Sequence, residues 1–317
     1  MSNGGAHLHS GTDSKLIQLR IKPGARQRSY TAVALLQGCP MLVFAYDGSL
    51  NGDWIAHYAA RFALATARRE LHLAHVHERA PAPELAGRIA RIAEECQRLG
   101  VTLVTSIRDS GDGSVADGVL SLLAATPDSV LITGTRARPR NLSYLAGTVA
   151  AELLARAPCA VLALHVAHPA MLGQPGRVLL PFSMARPPSR AALPLVQLLA
   201  PELKELHVLV VQEVSRLRFR LLGTRGARRL IDGALARANA IEAQLREALL
   251  AGRCRLDVSA VVSDDAVKEI LALAGRLRSR LLGLDASALP LSPGYGHPIE
   301  QLLRDSGSDV VLYRAAL

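Results

Sequence analysis

Two short motifs near the middle of the chain contain residue types that bind phosphate. The apolar segment 130–133 is a predicted strand that runs directly into Gly134, where no Cβ keeps a ligand away from the backbone. Gly147 and Thr148 then precede an amphipathic segment, which places N–H groups and a hydroxyl at the start of a predicted helix. Together these motifs predict an anion site between the end of a strand and the beginning of a helix.

Three arginines lie in the loop between the two motifs, at Arg136, Arg138 and Arg140. With Gly134 and Thr135, they could line a phosphate as a clamp of positive charge. A solvated loop that keeps a sheet edge from aggregating would use the same residues. The sequence leaves both interpretations open.

Asp47 follows the first strong strand of the sequence, residues 41–46. In an open α/β sheet, ligands bind beyond the carboxyl ends of the strands, where the connections reverse direction. Asp47 could therefore accept hydrogen bonds from a ribose or a base. The sequence Asp47-Gly48-Ser49 equally fits an N-cap turn that starts the first helix, and the residues alone favour neither.

Apolar segments alternate with amphipathic ones between residues 41 and 165. We predict strands at 41–46, 71–77, 101–107, 130–133 and 160–165, and helices at 53–69, 85–99, after Ser114, and at 147–156. Gly100 follows the second helix as a C-cap, and Asp117 lies three residues after Ser114 as in a shortened capping box. The alternation predicts an α/β fold with a five-stranded parallel sheet and helices on both faces.

The second part of the chain repeats this order. Gly134 and Gly283 are 149 residues apart, and so are Gly147 and Gly296, which indicates an internal duplication. We predict a first domain at 41–168, a linker at 169–176 with two prolines and two glycines, and a second domain at 177–317. Residues 1–40 are predicted to be a disordered extension in which residues 16–21 could form a short strand.

Composition limits the classes of partner. Aromatic residues are only 3% of the chain, which argues against a module that stacks nucleic-acid bases. The net charge is +10, and all but four of the 37 basic residues are arginine, which fits either anionic partners or solvated helix faces. The cysteines have no spacing of a disulfide framework or zinc site, and no apolar run reaches the roughly 18 residues of a membrane helix. We therefore expect a cytoplasmic protein without a membrane partner.

A basic cluster precedes a predicted long helix at 225–250 and contains Arg216, Arg218, Arg220, Arg225, Arg228 and Arg229. We interpret it as the solvated entry of that helix. A nucleic-acid patch is the alternative, which the scarcity of aromatics and the lack of a binding motif make the weaker one. His75 and His77 share one side of a strand without a third ligand nearby, so we predict no metal site.

The first domain resembles the universal stress protein family. The resemblance rests on Tyr46-Asp47-Gly48-Ser49, His75-Val76, Gly134-Thr135, Gly147-Thr148 and Ala157-Pro158-Cys159-Ala160-Val161-Leu162. It covers residues 41–166 well and 177–315 more loosely, as a tandem pair. It implies two Rossmann-like domains of the adenine nucleotide alpha hydrolase type, and ATP or a related adenine nucleotide as ligand, with Mg²⁺ as a companion ion.

By that resemblance, the cofactor-binding positions of the first domain are Ala45, Asp47, Val76, Gly134, Thr135, Arg136, Ala137, Gly147, Thr148 and Val149. ATP-binding members have a glycine, two residues, a second glycine, nine residues, and then glycine with serine or threonine. Here the spacing is kept, but Ala137 replaces the middle glycine. Its methyl group could crowd a phosphate or disfavour a positive φ.

The second domain departs further from the family pattern. Ser183 stands where Asp47 stands, and Leu284-Asp285 stand where Thr135-Arg136 stand. A carboxylate at Asp285 would repel phosphate, so we interpret this domain as a degenerate partner that mainly provides structure.

The function that the resemblance implies is that of a stress-response factor or sensor rather than a fast enzyme. The alternatives are a scaffold of the same fold that acts through protein contacts, and a slow ATP hydrolase. We expect an intramolecular pseudo-dimer that pairs through the final strands, homo-oligomers as a further form, and no nucleic-acid partner.

Overall fold

The computed structural model of the protein describes residues 19–20, 41–78, 82–111, 113–123, 129–140, 143–184, 191–249, 254–287 and 297–316. In this part of the chain, the strands form one sheet of eleven strands with helices on both faces. The predicted α/β class is confirmed.

The first strand, β1 (Leu19–Arg20), precedes the first unit and lies within the weak strand signal at 16–21. Other residues of the extension 1–40 lie outside the described residues. The first unit then consists of β2 (Leu42–Ala45), α1 (Leu50–Phe62), β3 (Glu70–His77), α2 (Leu85–Leu99), β4 (Thr102–Asp109), α3 (Val115–Leu123), β5 (Val130–Gly134), α4 (Val149–Arg156) and β6 (Ala160–His165).

The second unit repeats the alternation, with one additional short helix after its second strand. Its elements are β7 (Arg177–Ser183), α5 (Ala192–Leu199), β8 (Glu205–Glu213), α6 (Arg216–Leu221), α7 (Thr224–Ala248), β9 (Arg255–Ser263), α8 (Ala266–Leu277), β10 (Leu281–Asp285), α9 (Pro298–Asp305) and β11 (Asp309–Arg314). The short helix α6 was not predicted.

Each unit contributes five parallel strands, in the orders β4-β3-β2-β5-β6 and β9-β8-β7-β10-β11. The units are joined by antiparallel pairing of β6 with β11, in which Val310 lies opposite His165 and Arg314 opposite Val161. The strand β1 pairs antiparallel with β9 at the outer edge of the second unit. Because the joining pair is antiparallel, the strands of the two units run in opposite directions.

Successive side chains along each strand point to opposite faces of the sheet, which divides the core into two layers. In β2, Leu42 and Phe44 belong to a core that also holds Ile55 of α1 and Ile92 of α2. Val43 points to the opposite core, which is built with α3, α4, α8 and α9. Since both faces are covered over most of the sheet, the inner strands are largely apolar, which is why their segments were recognisable in the sequence. At the sheet edge, most residues of β4 are exposed.

The helix caps predicted at Gly100 and Ser114 are confirmed. Gly100 ends α2 with a positive φ of 68°. Ser114 and Asp117 bond reciprocally at the start of α3, since the Asp117 N–H donates to the Ser114 hydroxyl and the Ser114 N–H to the Asp117 carboxylate, at 3.1 and 3.2 Å. The predicted start of the first helix at residue 53 was wrong by three residues, because Ser49 caps α1 through the Gly52 N–H.

The repeat offset of 149 residues holds from the N-caps Thr148 and His297 to the strands β6 and β11, but not across the preceding strands. Gly134 lies opposite Leu164, whereas Gly283 lies opposite Val311. The residue opposite Tyr313, which corresponds to Leu164, is Asp285. The predicted equivalence of Gly134 with Gly283 is therefore off by two residues in the strand register, and Asp285 occupies the position of Gly134.

Candidate functional site

A cavity of about 710 Å³ lies at the carboxyl ends of β2, β3 and β5 in the first unit. It extends between α1 and the beginning of α4, and the side chains of α3 close it from one side. The strands β2 and β5 are neighbours in the sheet although α1, β3, α2, β4 and α3 lie between them in sequence, so the chain reverses its winding direction here. This is the place where open α/β sheets bind ligands.

Nine of the ten predicted site residues line this cavity, namely Ala45, Asp47, Val76, Gly134, Thr135, Arg136, Ala137, Thr148 and Val149. Gly147 is the exception. It has a positive φ of 65°, and a Cβ there would meet nothing within 4 Å. Its role is therefore conformational, because it turns the chain into the N-cap Thr148.

Asp47 serves the helix cap and also lines the cavity. Its carboxylate accepts hydrogen bonds from the Ser49 N–H at 2.9 Å and from the Ser49 hydroxyl at 2.7 Å. The same hydroxyl accepts from the Gly52 N–H at 3.0 Å and so caps α1. The N-cap turn is therefore confirmed. Asp47 is nevertheless exposed and lines the cavity, so acceptance of hydrogen bonds from a ligand stays a prediction.

Gly134 contributes to helix packing. A Cβ at this position would lie 2.3 Å from Cδ1 of Ile55, which projects from α1 onto the strand. The missing side chain thus makes room for the packing of α1 on β5, a role that the sequence did not indicate. Gly134 also lines the cavity, so the prediction that its backbone can approach a ligand stays a prediction.

The beginning of α4 presents donors to the cavity. Helix geometry leaves the N–H groups of Val149 and Ala150 without intrahelical acceptors, and both residues line the cavity. The hydroxyl of Thr148 accepts from the Ala151 N–H at 3.1 Å and donates to the Leu145 carbonyl at 2.6 Å. That hydroxyl therefore fixes the helix start, and the donors that face the cavity are backbone groups.

The guanidinium of Arg136 is held beside this helix start. It donates to the carbonyl oxygens of Ala146 at 2.9 Å and of Gly147 at 3.1 Å. Arg138 and Arg140 are exposed and do not line the cavity, so the clamp of three arginines reduces to one.

Ala137, which replaces the middle glycine of the family pattern, does not have a positive φ. Among the described residues other than glycine, only Arg69 and Arg278 do. Ala137 therefore needs no glycine-like backbone.

Thr135 connects the cavity to the centre of the sheet. Its N–H donates to the Leu164 carbonyl at 2.8 Å, and its hydroxyl lies 3.1 Å from Nδ1 of His165. Burial lowers the pKa of His165, so the imidazole is neutral at neutral pH. The ring of Tyr144 packs edge-on against it at 4.7 Å.

The sequence did not identify the contribution of α1. Asn51 and Trp54 line the cavity, and Asn51 Nδ2 donates to the Thr135 carbonyl at 2.9 Å. Because a carbonyl only accepts, this bond fixes the orientation of the amide. A helix that begins after a cap at Ser49 places both side chains toward the cavity. The predicted helix began at residue 53, so Asn51 was not recognised as a helical residue.

A carboxylate of the second unit holds the loop of the first unit that leads to Thr148. Glu300 in α9 is fully buried. It accepts from the Ser143 hydroxyl at 2.7 Å, from the Tyr144 N–H at 2.8 Å and from the Leu145 N–H at 3.0 Å. The geometry of the first-unit cavity thus depends on a side chain more than 150 residues away in sequence.

A second buried carboxylate also crosses between the units. Asp309 of β11 accepts hydrogen bonds from the Tyr58 hydroxyl of α1 and from the Ala167 N–H, the latter at 2.9 Å. Burial and the neighbouring Asp309 raise the pKa of Tyr58, which keeps its hydroxyl a donor. The two units are therefore joined by buried polar contacts as well as by the sheet.

The second unit has a smaller cavity of about 400 Å³ at its own carboxyl strand ends, lined by Ser183, Met184, Gln212, Glu213, Val214, Ser215, Arg216 and Asp264. Two carboxylates and one arginine make it a poor match for phosphate. The predicted loop position Gly296 lies outside the described residues. Within the part of the chain that is described, no group of three His, Cys, Asp or Glu could hold a metal ion, and no helix is long and apolar enough to cross a membrane.

The fold is similar to those of solved structures over most of the chain. A universal stress protein from Archaeoglobus fulgidus DSM 4304 aligns with a TM-score of 0.56 at 15% identity, which covers 88% of this chain and 97% of that chain. The cytoplasmic domain of a prokaryotic cation chloride cotransporter aligns with a TM-score of 0.53 at 14% identity, covering 88% and 96%.

A functionally unknown protein from Pseudomonas aeruginosa PAO1 aligns with a TM-score of 0.51 at 16% identity, covering 86% of this chain and 92% of that chain. No protein-family model and no curated protein sequence matches the chain. At these identities the likeness establishes architecture: the chain has the tandem fold of universal stress proteins.

Proposed function

We propose that the protein is a cytoplasmic stress-response factor or sensor that binds ATP or a related adenine nucleotide in its first unit. The observation that carries the proposal is the convergence of nine predicted residues on one cavity at the switch point of the sheet. Its volume of about 710 Å³ is within the range of small-molecule sites, which is about 300–1,000 Å³. The fold shared with a universal stress protein supports the same assignment.

The lining is divided by chemistry in the way a nucleotide requires. Val76, Val115 and Val119 form an apolar wall that suits a base. Asp47 is an exposed acceptor for ribose hydroxyls. The N–H groups of Val149 and Ala150 suit the phosphates, whose negative charge the helix dipole would stabilise.

Arg136 adds the positive charge that such a ligand needs. It is the one arginine of the 135–140 loop that lines the cavity. A Mg²⁺ ion would bind through the phosphates, since no protein cluster for a metal is formed among the described residues. In the proposed assembly, the second unit acts as the fixed half of an intramolecular pseudo-dimer.

The single tryptophan of the chain, Trp54, lines the cavity and provides a direct readout. ATP titration should change its fluorescence, and calorimetry on the same protein should give the same dissociation constant. Asp47→Asn keeps an oxygen for the Ser49 turn and removes the charge. We expect about a five- to tenfold loss of affinity from the weaker hydrogen bond to the ribose.

The matched control is Asp285→Asn, which removes the same charge at the register counterpart of Gly134 in the second unit. It should leave affinity unchanged. Equal losses in both variants would contradict the placement of the ligand. Absence of any ATP or ADP binding, together with no adenine nucleotide released from the denatured protein, would favour the scaffold, whereas phosphate release above a heat-killed control would indicate hydrolysis.

A further inference from the structure

Helix α6 turns two leucines away from the protein. Leu217 and Leu221 are 70% and 76% exposed and lie one helical turn apart. The helix is held by its other side, where Phe219 packs against a small core of Val214, Ile231 and Val262. The two leucines therefore contribute little to the packing of α6, and their exposure needs another explanation.

Arginines border these leucines on both sides. At about 100° per residue, Leu217 and Leu221 lie about 40° apart around the helix, and Arg218 and Arg220 lie about 80° to either side of their midpoint. Both arginines are exposed. The outward face of α6 is thus a narrow apolar strip between two rows of positive charge.

The positive charge continues beyond α6. Arg225, Arg228 and Arg229 are exposed in the first two turns of α7, and neither α6 nor the first turn of α7 contains an acidic residue. Of the six arginines from Arg216 to Arg229, Arg216 is the one with an ion pair among the described residues, to Asp264 at 3.9 Å. We call Leu217, Leu221 and the six arginines from Arg216 to Arg229 the arginine–leucine patch.

We propose that the arginine–leucine patch docks the protein peripherally on an anionic lipid surface. Arginine guanidinium groups pair with phosphate-bearing headgroups, and their stems extend along the apolar boundary while the charged ends stay at the headgroups. Leu217 and Leu221 would enter that boundary, as in interfacial helices whose apolar strip is flanked by basic residues. This departs from the expectation of a solvated helix entry and no membrane contact, which did not include outward leucines.

A nucleic acid would use the patch differently. Base stacking needs an exposed aromatic ring, and Phe219, the aromatic residue of α6, is turned inward. Two exposed leucines would gain nothing from a phosphate backbone. The lipid surface is the partner for which both the charge and the apolar strip have a use.

Vesicle flotation of the full chain tests the proposal. The protein should bind vesicles of phosphatidylcholine with phosphatidylserine, bind phosphatidylcholine alone much less, and lose binding as salt rises. Arg218→Glu with Arg220→Glu should abolish binding. Its control, Arg91→Glu with Arg98→Glu on the exposed side of α2, makes the same change in net charge and should bind normally.

The apolar strip is tested separately. Leu217→Gln with Leu221→Gln should weaken binding about tenfold or more through lost insertion, whereas Met171→Gln, at a residue 65% exposed elsewhere, should have no effect. In a Leu217→Trp variant, tryptophan emission should shift to the blue with anionic vesicles. Thermal unfolding of each variant verifies the fold, since Phe219 is unchanged in all of them.

Three results would overturn the proposal. They are no binding to anionic vesicles, equal binding to neutral vesicles, or full binding by the leucine variant. If a single-stranded oligonucleotide binds instead, with a loss on arginine reversal and none on leucine exchange, the patch serves nucleic acid.

Discussion

The hydroxyl of Ser143 in the first unit donates a hydrogen bond of 2.7 Å to the buried carboxylate of Glu300 in the second. At the repeat offset of 149 residues, Glu300 corresponds to Ala151 in the first unit, which has no carboxylate. The contact therefore has no symmetric counterpart. The first unit, whose cavity better matches a nucleotide site, is therefore the unit whose loop is held by a residue of the other unit.

Glu300→Gln should loosen this loop. One carboxylate oxygen becomes an NH₂ group facing a donor, so at least one buried donor is left without an acceptor, which costs about 1–3 kcal/mol of unfolding free energy. Hydrogen exchange should accelerate at the Tyr144 and Leu145 amides. Glu152→Gln on the exposed side of α4 is the control, and equal exchange in both variants would contradict the role of Glu300.

Gly134→Ala should destabilise the protein by about 1–3 kcal/mol, because the added methyl would lie 2.3 Å from Cδ1 of Ile55. Ile55→Val removes that atom, so the double variant should be more stable than the two single changes predict together. Gly233→Ala, in an open position of α7, should instead stabilise by about 0.5–1 kcal/mol. Denaturant unfolding measures the stability of these four variants, and strictly additive costs would contradict a steric conflict between the methyl group added at position 134 and Ile55.

Ala137→Gly should give no measurable gain in ATP affinity. Alanine already adopts a backbone without positive φ here, so glycine relieves no strain. Titration followed by Trp54 fluorescence measures the effect. A several-fold gain would mean that the methyl group itself crowds a phosphate, since that is the remaining way in which alanine differs.

Stability should fall as the pH is lowered through about 6.5, because burial lowers the pKa of His165 in the folded protein. Between that lowered pKa and about 6.5, the unfolded chain binds more protons, so acid favours unfolding. Thermal unfolding across this range should show a smaller decline for His165→Phe. The same decline in both proteins would assign the dependence to other groups.

The order of strands and helices could be predicted because its signals are local. Apolar strands buried on both faces, the cap at Gly100 and the reciprocal bonds of Ser114 with Asp117 all lie within a few residues. The contact of Glu300 with Ser143 could not be predicted, since no periodicity relates the two. The packing of Ile55 against Gly134 could not be predicted either, because the two residues lie on different elements and no local pattern relates them.

The outward direction of α6 was also beyond the sequence. Its six residues alternate arginine with apolar side chains, and such a pattern does not indicate which side the protein covers. The packing of Phe219 against the small core of Val214, Ile231 and Val262 decides which side is covered.

The antiparallel joint between β6 and β11 has a consequence for orientation. The cavity lies at the carboxyl ends of the first unit's strands, and α6 begins just after the carboxyl end of β8 in the second unit. Because the strands of the two units run in opposite directions, these two carboxyl ends lie at opposite rims of the sheet. A molecule resting on a bilayer by α6 would hold its cavity upward, on the side remote from the lipid. Ligand could then enter and leave from open solution while the protein stayed attached.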